Sequence, residues 1–259
     1  MLLHSKILGS SANEILILHG FLGSGDNWIS IAKKLVENNY KVHLIDQRNH
    51  GRSFHSSEFN YELMREDLLQ YISHHNIHQP IIMGHSMGGK TVMNFALKHP
   101  NLLSKLFVID TSPRFYERHH DYILDALLRI DLKKINKRIN VDLELSKTIK
   151  DVSLRNFLMK NLFWKEPNVL EFRFNLQSLH LNIDEIGKEI TYTDQFKKPT
   201  YFFKGENSDY IKDVDYKSIF NLFPNSKLIS ISNSGHWLHA DNSEEFLNNF
   251  ISLLSPITK

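Results

Sequence analysis

Residues 80–91 read Pro-Ile-Ile-Met-Gly-His-Ser-Met-Gly-Gly-Lys-Thr, with the serine at position 86. An apolar, β-type run (Ile81, Ile82, Met83) enters Gly84-His85-Ser86-Met87-Gly88, and a helical run from Lys90 to Lys98 leaves it. This is G-x-S-x-G between a strand and a helix, the context that separates a nucleophilic serine from an ordinary turn residue. Gly84 and Gly88 carry no Cβ to obstruct so sharp a turn, which frees Ser86 to take a strained backbone conformation. Its hydroxyl is expected to stand clear of the strand ends with a helix N-terminus behind it.

A serine hydroxyl is a poor nucleophile until a base takes its proton. On such an elbow the chain order is Ser, acid, His, so the base is sought downstream. Alternating apolar Leu228, Ile229 and Ile231 predict a late strand, and Ser234-Gly235-His236 forms the loop after it. His236 therefore reaches the same sheet edge as Ser86. His239 competes, but it falls beside the start of the C-terminal helix, where packing or capping is the simpler role. The group His74-His75-x-x-His78 ends a charged helix, where imidazole complements the macrodipole. No H-E-x-x-H or comparable ligand set occurs, so neither a metal nor an organic cofactor is expected.

Two acids qualify to orient His236. Asp110 ends the buried-looking run Lys105–Ile109, and Asp209 lies just past Thr200–Lys204 in Gly205-Glu-Asn-Ser-Asp-Tyr210. Without a catalytic role, Asp110 would cap the Thr111-Ser-Pro113 turn and Asp209 would be an ordinary turn acid. Oxyanion donors are expected from the N–H of Met87, directly after the nucleophile, and the N–H of Phe21. Phe21 follows the strand Glu14–Leu18 at the tight turn His19-Gly20. Preorganised donors of this kind are worth about 3–4 kcal/mol each.

Short apolar runs alternate with helical patterns through much of the 259 residues. Strands are predicted at Glu14–Leu18, Lys41–Asp46, Ile81–His85, Lys105–Asp110, Thr200–Lys204 and Lys227–Ile231. Helices are predicted at Asp26–Glu37 with Asp26 as N-cap, and at Tyr61–His74, Met87–Lys98, Asp213–Leu222 and Ser243–Leu254. The rhythm implies an α/β chain with a mostly parallel sheet covered on both faces. Ligands of such sheets gather at the carboxyl ends of the strands, where Phe21, Ser86, Asp110 and His236 fall. The rhythm breaks between Pro113 and Lys198, a glycine-poor stretch with long Leu/Ile periodicity. It reads as a helical cap, residues 113–198, inserted into a core of residues 1–112 and 199–259. The cap holds 16 Lys/Arg and 13 Asp/Glu, densest in cations at Arg129, Lys133, Lys134, Lys137 and Arg138. A solvated helix face explains that run; a phosphate-bearing acyl carrier such as coenzyme A passing over it is the sharper reading. Aromatic residues near the cap entrance (Phe115, Tyr116, Phe157, Phe163, Trp164, Phe172 and Phe174) are candidates for acyl-pocket walls.

The motifs His19-Gly-Phe-Leu-Gly-Ser24, Asp46-Gln-Arg-Asn-His-Gly-Arg-Ser53, Gly84-His-Ser-Met-Gly-Gly-Lys90, Ile109-Asp110, Gly205-Glu-Asn-Ser208 and Gly235-His-Trp-Leu-His-Ala240 run in order along almost the whole chain. Together they resemble the α/β-hydrolases, specifically the small bacterial YbfF-type esterases and their mitochondrial abhydrolase relatives. The D-x-R-x-H-G-R-S loop is the most discriminating of these. Many enzymes of this fold place their acid three residues after the glycine of the later loop; here Ser208 holds that place and Asp209 comes one residue late. The resembled esterases instead place it after the strand that follows the nucleophile helix. The resemblance thus favours Asp110, with Asp209 as the alternative. In the D-x-R-x-H-G-R-S loop, Arg48 and Arg52 could address a substrate carboxylate or phosphate, but buttressing the loop is the plainer role. One departure is the short N-terminus: only Leu2–Leu8 precedes the first central strand, so the leading β-hairpin is expected to be reduced.

The resemblance implies a serine hydrolase cleaving carboxylic esters or thioesters, with carbon–carbon bond or lactone hydrolysis and a non-turnover ligand receptor as alternatives. The 41% hydrophobic content suffices for a large core, and zero cysteines exclude a thiol nucleophile and a disulfide framework. That absence fits a reducing cytoplasm. Neither a signal peptide nor a membrane span is expected. A formal charge of +2 points to no nucleic-acid partner. The expected partner is a small acyl ester or thioester, met by a monomer or homodimer.

Overall fold

A computed structural model describes residues 1–254. Seven strands form one sheet: β1 (Ser5–Leu8), β2 (Glu14–Leu18), β3 (Lys41–Ile45), β4 (Ile81–His85), β5 (Lys105–Ile109), β8 (Thr200–Gly205) and β9 (Ser226–Ile231), in spatial order β1-β3-β2-β4-β5-β8-β9. Every pairing is parallel except β1 with β3. A single edge strand, with Ser5 opposite Ile45 and Leu8 opposite Val42, is what precedes the central strands.

The central strands are apolar at successive positions because both faces are covered. Leu16 and Leu18 of β2, with Ile82, Leu106, Val108 and Phe202, pack on one side against α2 (Tyr61–His74) and α3 (Met87–Lys98). Ile15 and Ile17, with Met83, Phe107, Ile109 and Phe203, pack on the other against α1 (Ile29–Glu37) and α10 (Ser243–Ser252). Alternate side chains of each strand thus enter different cores. α9 (Tyr216–Leu222) lies between β8 and β9, its Ile219 in the first of these cores.

Two helix starts differ from the sequence expectation. Asp26 is not an N-cap: Gly25–Trp28 forms a 3₁₀ turn before α1, opened by Ser24, whose N–H donates to Asn27 Oδ1 at 2.8 Å. Likewise Asp213–Asp215 is a 3₁₀ turn leading into α9. Short polar residues favour this geometry because their side chains serve the otherwise unpaired amides.

Between β5 and β8 the chain leaves the sheet. It forms α4 (Asp121–Leu128), α5 (Arg138–Thr148), α6 (Val152–Met159), α7 (Leu176–Leu181) and α8 (Ile183–Gly187). The expectation of a purely helical segment is corrected here: β6 (Leu162–Glu166) and β7 (Val169–Phe172) make an antiparallel hairpin. Asn168 turns it at φ 65°, a conformation Asn tolerates better than most residues. The inserted segment has its own apolar cluster, including Leu124, Val141, Leu145, Leu158 and Leu179, which continues onto Phe21, Leu22 and Met87 of the sheet edge.

Candidate active site

Ser86 sits between β4 and α3 at φ 52° and ψ −118°, well outside the regions an L-residue prefers. The surroundings fix this conformation. A Cβ on Gly84 would lie 2.2 Å from the carbonyl oxygen of Gly88, and one on Gly88 2.5 Å from that of Leu18. Both glycines are therefore required by close backbone approach as well as by turn geometry. The Ser86 N–H donates to Ile109 O at 2.9 Å, tying the elbow to the end of β5.

One residue beyond that carbonyl, Asp110 leaves the strand at φ 50° with its side chain fully buried. Its Oδ2 lies 2.7 Å from His236 Nδ1, its Oδ1 accepts the Gly205 N–H at 3.0 Å, and the Ser208 hydroxyl also donates to Oδ2. Asp209 points away: its side chain is 96% exposed and stands 3.7 Å from Lys212. The place three residues after Gly205 is thus filled by a hydroxyl that hydrogen-bonds the carboxylate from the neighbouring strand. Burial pushes the Asp110 carboxyl up to about 7, opposed by the Ser208 and Gly205 hydrogen bonds. Burial, with His119 nearby, pushes the His236 imidazole down to about 3. Burial thus disfavours the charged form of each partner.

Several groups fix the His236 ring that sequence patterns did not reveal. Tyr210 stacks on it, centroids 3.7 Å apart and planes inclined by 16°. The Tyr210 hydroxyl is 2.7 Å from His119 Nε2, while His119 Nδ1 lies 2.8 Å from Glu117 O. Nδ1–H therefore donates to that carbonyl and Nε2 accepts from the tyrosine. From below, His85 Nε2 donates to the backbone carbonyl of His236 at 2.9 Å. His239 is a packing residue, stacked on Trp28 at 3.9 Å with an interplanar angle of 15°.

The D-x-R-x-H-G-R-S loop buttresses the loop carrying Phe21. The Gln47 backbone N–H donates to His19 Nε2 (3.1 Å), and its side-chain amide donates to His19 O (2.7 Å). His50 Nε2 accepts the Leu22 N–H at 3.1 Å, and the Gly25 N–H donates to Asp46 at 2.7 Å. Arg48 is consumed in a buried, two-pronged pair with Asp67 at 2.6 and 2.8 Å. Among the described residues, no protein acceptor takes the N–H of Phe21 or of Met87.

These elements border a cavity of about 470 Å³. Ser86, His236, Phe21 and Tyr210 line it from the sheet edge; Ile123, Leu154, Phe157 and Leu158 line it from the inserted segment. Of the aromatic residues expected near the cap entrance, only Phe157 lines this cavity. Tyr116 borders a small adjoining pocket, Phe172 and Phe174 stack on each other at 5.0 Å, and Phe115 is exposed. The run Arg129–Arg138 does not line the cavity; Arg138 donates to the carbonyls of Met159 and Leu162 at 2.7 Å, and Lys134 pairs with Asp131. Lys90, on the nucleophile helix, donates to the carbonyls of Arg114 (2.7 Å), Gly187 (3.3 Å) and Lys188, near both ends of the inserted segment. Among the described residues, no helix is long and apolar enough to cross a membrane, and no group of three or more His, Asp or Glu side chains is arranged to hold a metal ion.

Residues 13–243 match the alpha/beta hydrolase fold family. The chain is similar to a sn-1-specific diacylglycerol lipase, ABHD11, of Danio rerio, with 36% identity over 95% of this chain and 79% of the relative. It is also similar to Esterase YbfF of Escherichia coli strain K12, with 30% identity over 91% of this chain and 90% of that one. Among solved structures, a marine microorganism esterase superposes with a TM-score of 0.94 at 42% identity, covering 97% of this chain and 98% of the other. An elbow serine, a parallel sheet and relatives of this identity along nearly the whole length agree: the chain belongs to the α/β-hydrolase fold family, among its esterase- and lipase-type enzymes.

Proposed function

We propose that the chain hydrolyses carboxylic esters or thioesters through an acyl-enzyme on Ser86, with His236 as the base and Asp110 as its orienting acid. The observation that carries this reading is the 2.7 Å contact between His236 Nδ1 and the buried Asp110 carboxylate, on the wall of the cavity that Ser86 also lines. The diacylglycerol lipase and the esterases among the relatives bear the names of ester hydrolases, which supports the same bond class.

The carboxylate of Asp110 holds the imidazole hydrogen at Nδ1 and leaves the Nε2 lone pair to accept the Ser86 proton. Ser86 Oγ adds to the acyl carbonyl, and the N–H groups of Phe21 and Met87 take the oxyanion. The imidazolium then gives its proton to the departing alkoxide or thiolate. Water enters, loses a proton to Nε2 and adds to the acyl-enzyme; collapse returns that proton to Ser86 Oγ and frees the acid. In this reading residues 113–198 serve as the cap that covers the cavity over a core of residues 1–112 and 199–259.

The test is Ser86→Ala in the purified protein. A loss of about 10⁴-fold or more in kcat on a short-chain ester is expected, with no labelling by a fluorophosphonate. Wild-type turnover in a folded variant would discard the mechanism.

A further inference from the structure

The loop that presents the Phe21 N–H reverses within four residues. The Gly23 N–H donates to Gly20 O at 3.0 Å, which makes Phe21 and Leu22 the two middle residues of a turn. Leu22 stands at φ 57°, in the left-handed region where Gly or Asn is the usual occupant of that second middle position. A leucine is held there in three ways. Its side chain is buried in the apolar cluster of the inserted segment, and its N–H donates to His50 Nε2 at 3.1 Å. Its carbonyl accepts the side-chain amide of Asn161 at 2.8 Å, from a residue 139 positions further along.

These bonds connect end to end. A trans peptide holds the carbonyl of one residue and the N–H of the next in one rigid plane. The Asn161 amide bonds the Leu22 carbonyl, and that plane carries the Gly23 N–H. The Gly23 N–H bonds the Gly20 carbonyl, and this second plane carries the N–H of Phe21. His19 Nδ1, 2.8 Å from Gly20 O, braces the same plane. Hydrogen bonds in such a chain polarise one another as well as fixing direction.

Asn161 is itself firmly set. It follows α6, its N–H donates to Leu158 O at 3.0 Å, and its carbonyl accepts the Arg173 N–H, also at 3.0 Å. The side chain is buried, yet among the described residues its Oδ1 has no hydrogen-bond partner. A buried carboxamide with its oxygen unpaired adds little stability. What it supplies is one directed donor. Its neighbours Leu158 and Lys160 line the Ser86 cavity, as do Phe21 and Leu22.

We propose that Asn161 is a positioning residue for the oxyanion hole. Through the Leu22 and Gly20 carbonyls it aims the Phe21 N–H, so the inserted segment completes a site whose reacting groups all stand on the core. This rests on the acyl-enzyme reading above, in which that N–H takes the oxyanion.

The experiment compares wild type with Asn161→Leu, which nearly keeps the side-chain volume and removes the donor. Asn161→Ala carries the same readouts should the leucine variant fail to fold. On a short-chain ester kcat is expected to fall about tenfold with KM nearly constant, a part of the 10²–10³-fold that loss of a whole oxyanion donor costs. A trifluoromethyl ketone with the same acyl chain takes Ser86 Oγ at its carbonyl carbon and leaves an oxyanion on the donors. Its Ki should rise by the factor that kcat/KM loses, while the corresponding alcohol, which forms no oxyanion, binds unchanged. Unchanged kcat, or a raised KM with weaker binding of the alcohol, overturns the proposal in favour of a packing role. A second readout needs no turnover. Gly20-Phe21 is the only Gly-Phe step in the sequence, so labelling glycine carbonyls with carbon-13 and phenylalanine amides with nitrogen-15 isolates one amide resonance. It should move upfield in the proton dimension in the variant, and a resonance that stays in place overturns the chain of bonds. If wild type hydrolyses no ester, the hydrolase reading fails and the resonance still decides whether Asn161 acts on the Phe21 N–H.

Discussion

Two loops at the carboxyl edge of the sheet each offer an aspartate, and they treat it in opposite ways. After β5, Asp110 is fully buried and held by a histidine, a hydroxyl and a backbone amide. After β8, the Asp209 side chain is almost wholly in solvent, its carboxylate 3.7 Å from Lys212. Yet the second loop is not idle. Ser208 bonds the first loop's carboxylate, Gly205 donates its amide to it, and Tyr210 covers the imidazole. The pair shows that the place beside the imidazole belongs to a point in space that neighbouring strands both reach, and that one residue of displacement along a loop decides between inside and outside.

The strongest way to break this contrast is to neutralise each acid in turn. Asp110→Asn is expected to lower kcat by about 10⁴-fold, because an amide cannot hold the imidazole in the required tautomer. Asp209→Asn is its control and should stay within about fivefold, the scale of an exposed ion pair. Steady-state kinetics on folded variants decides, and the reverse ranking would move the acid to the second loop.

The pH profile sharpens the same contrast. With Asp110 raised to about 7 by burial, its carboxylate is present above that pH and lost as pH falls through it. A protonated Asp110 would donate to Nδ1 and leave the imidazole hydrogen on Nε2, the atom that must accept from Ser86. Accordingly kcat/KM should rise through a single limb near 7, falling about tenfold per unit below it, and the limb belongs to the Asp110–His236 pair. A flat profile from pH 5 to 8 contradicts the assignment. The limb should stay in place in Asp209→Asn.

The smallest effect concerns Tyr210. Stacked aromatic pairs are worth about 0.5–1.5 kcal/mol, so Tyr210→Ala should lower kcat up to roughly tenfold with KM nearly constant. Tyr210→Phe keeps the ring over His236 and should restore kcat, losing only the bond to His119. A Phe variant as impaired as the Ala variant would show that the hydroxyl, not the stack, positions the base.

Much of this was legible in the residues themselves. The central strands announce themselves because burial on both faces demands apolar side chains at successive positions, and Gly84 and Gly88 mark the elbow because nothing larger fits there. What escaped reading depends on tertiary encounters. No local pattern distinguishes Tyr210 from any loop tyrosine, or shows that His85 serves the carbonyl of a residue 151 positions away. The β6–β7 hairpin is short and buries only a few of its side chains, so its apolar pattern is too weak to stand out against the helices around it. Of the aromatic residues offered as pocket walls only Phe157 lines the cavity, for a related reason: composition says that a ring will be buried, not which of several neighbouring cores will bury it.

Ser208 also bears on how the acid is shared between strands. Three residues after Gly205, it touches the same carboxylate oxygen that touches the imidazole. A chain carrying carboxylates at both 110 and 208 would be a passable halfway house, since two acids packed together share one proton more readily than they tolerate two charges.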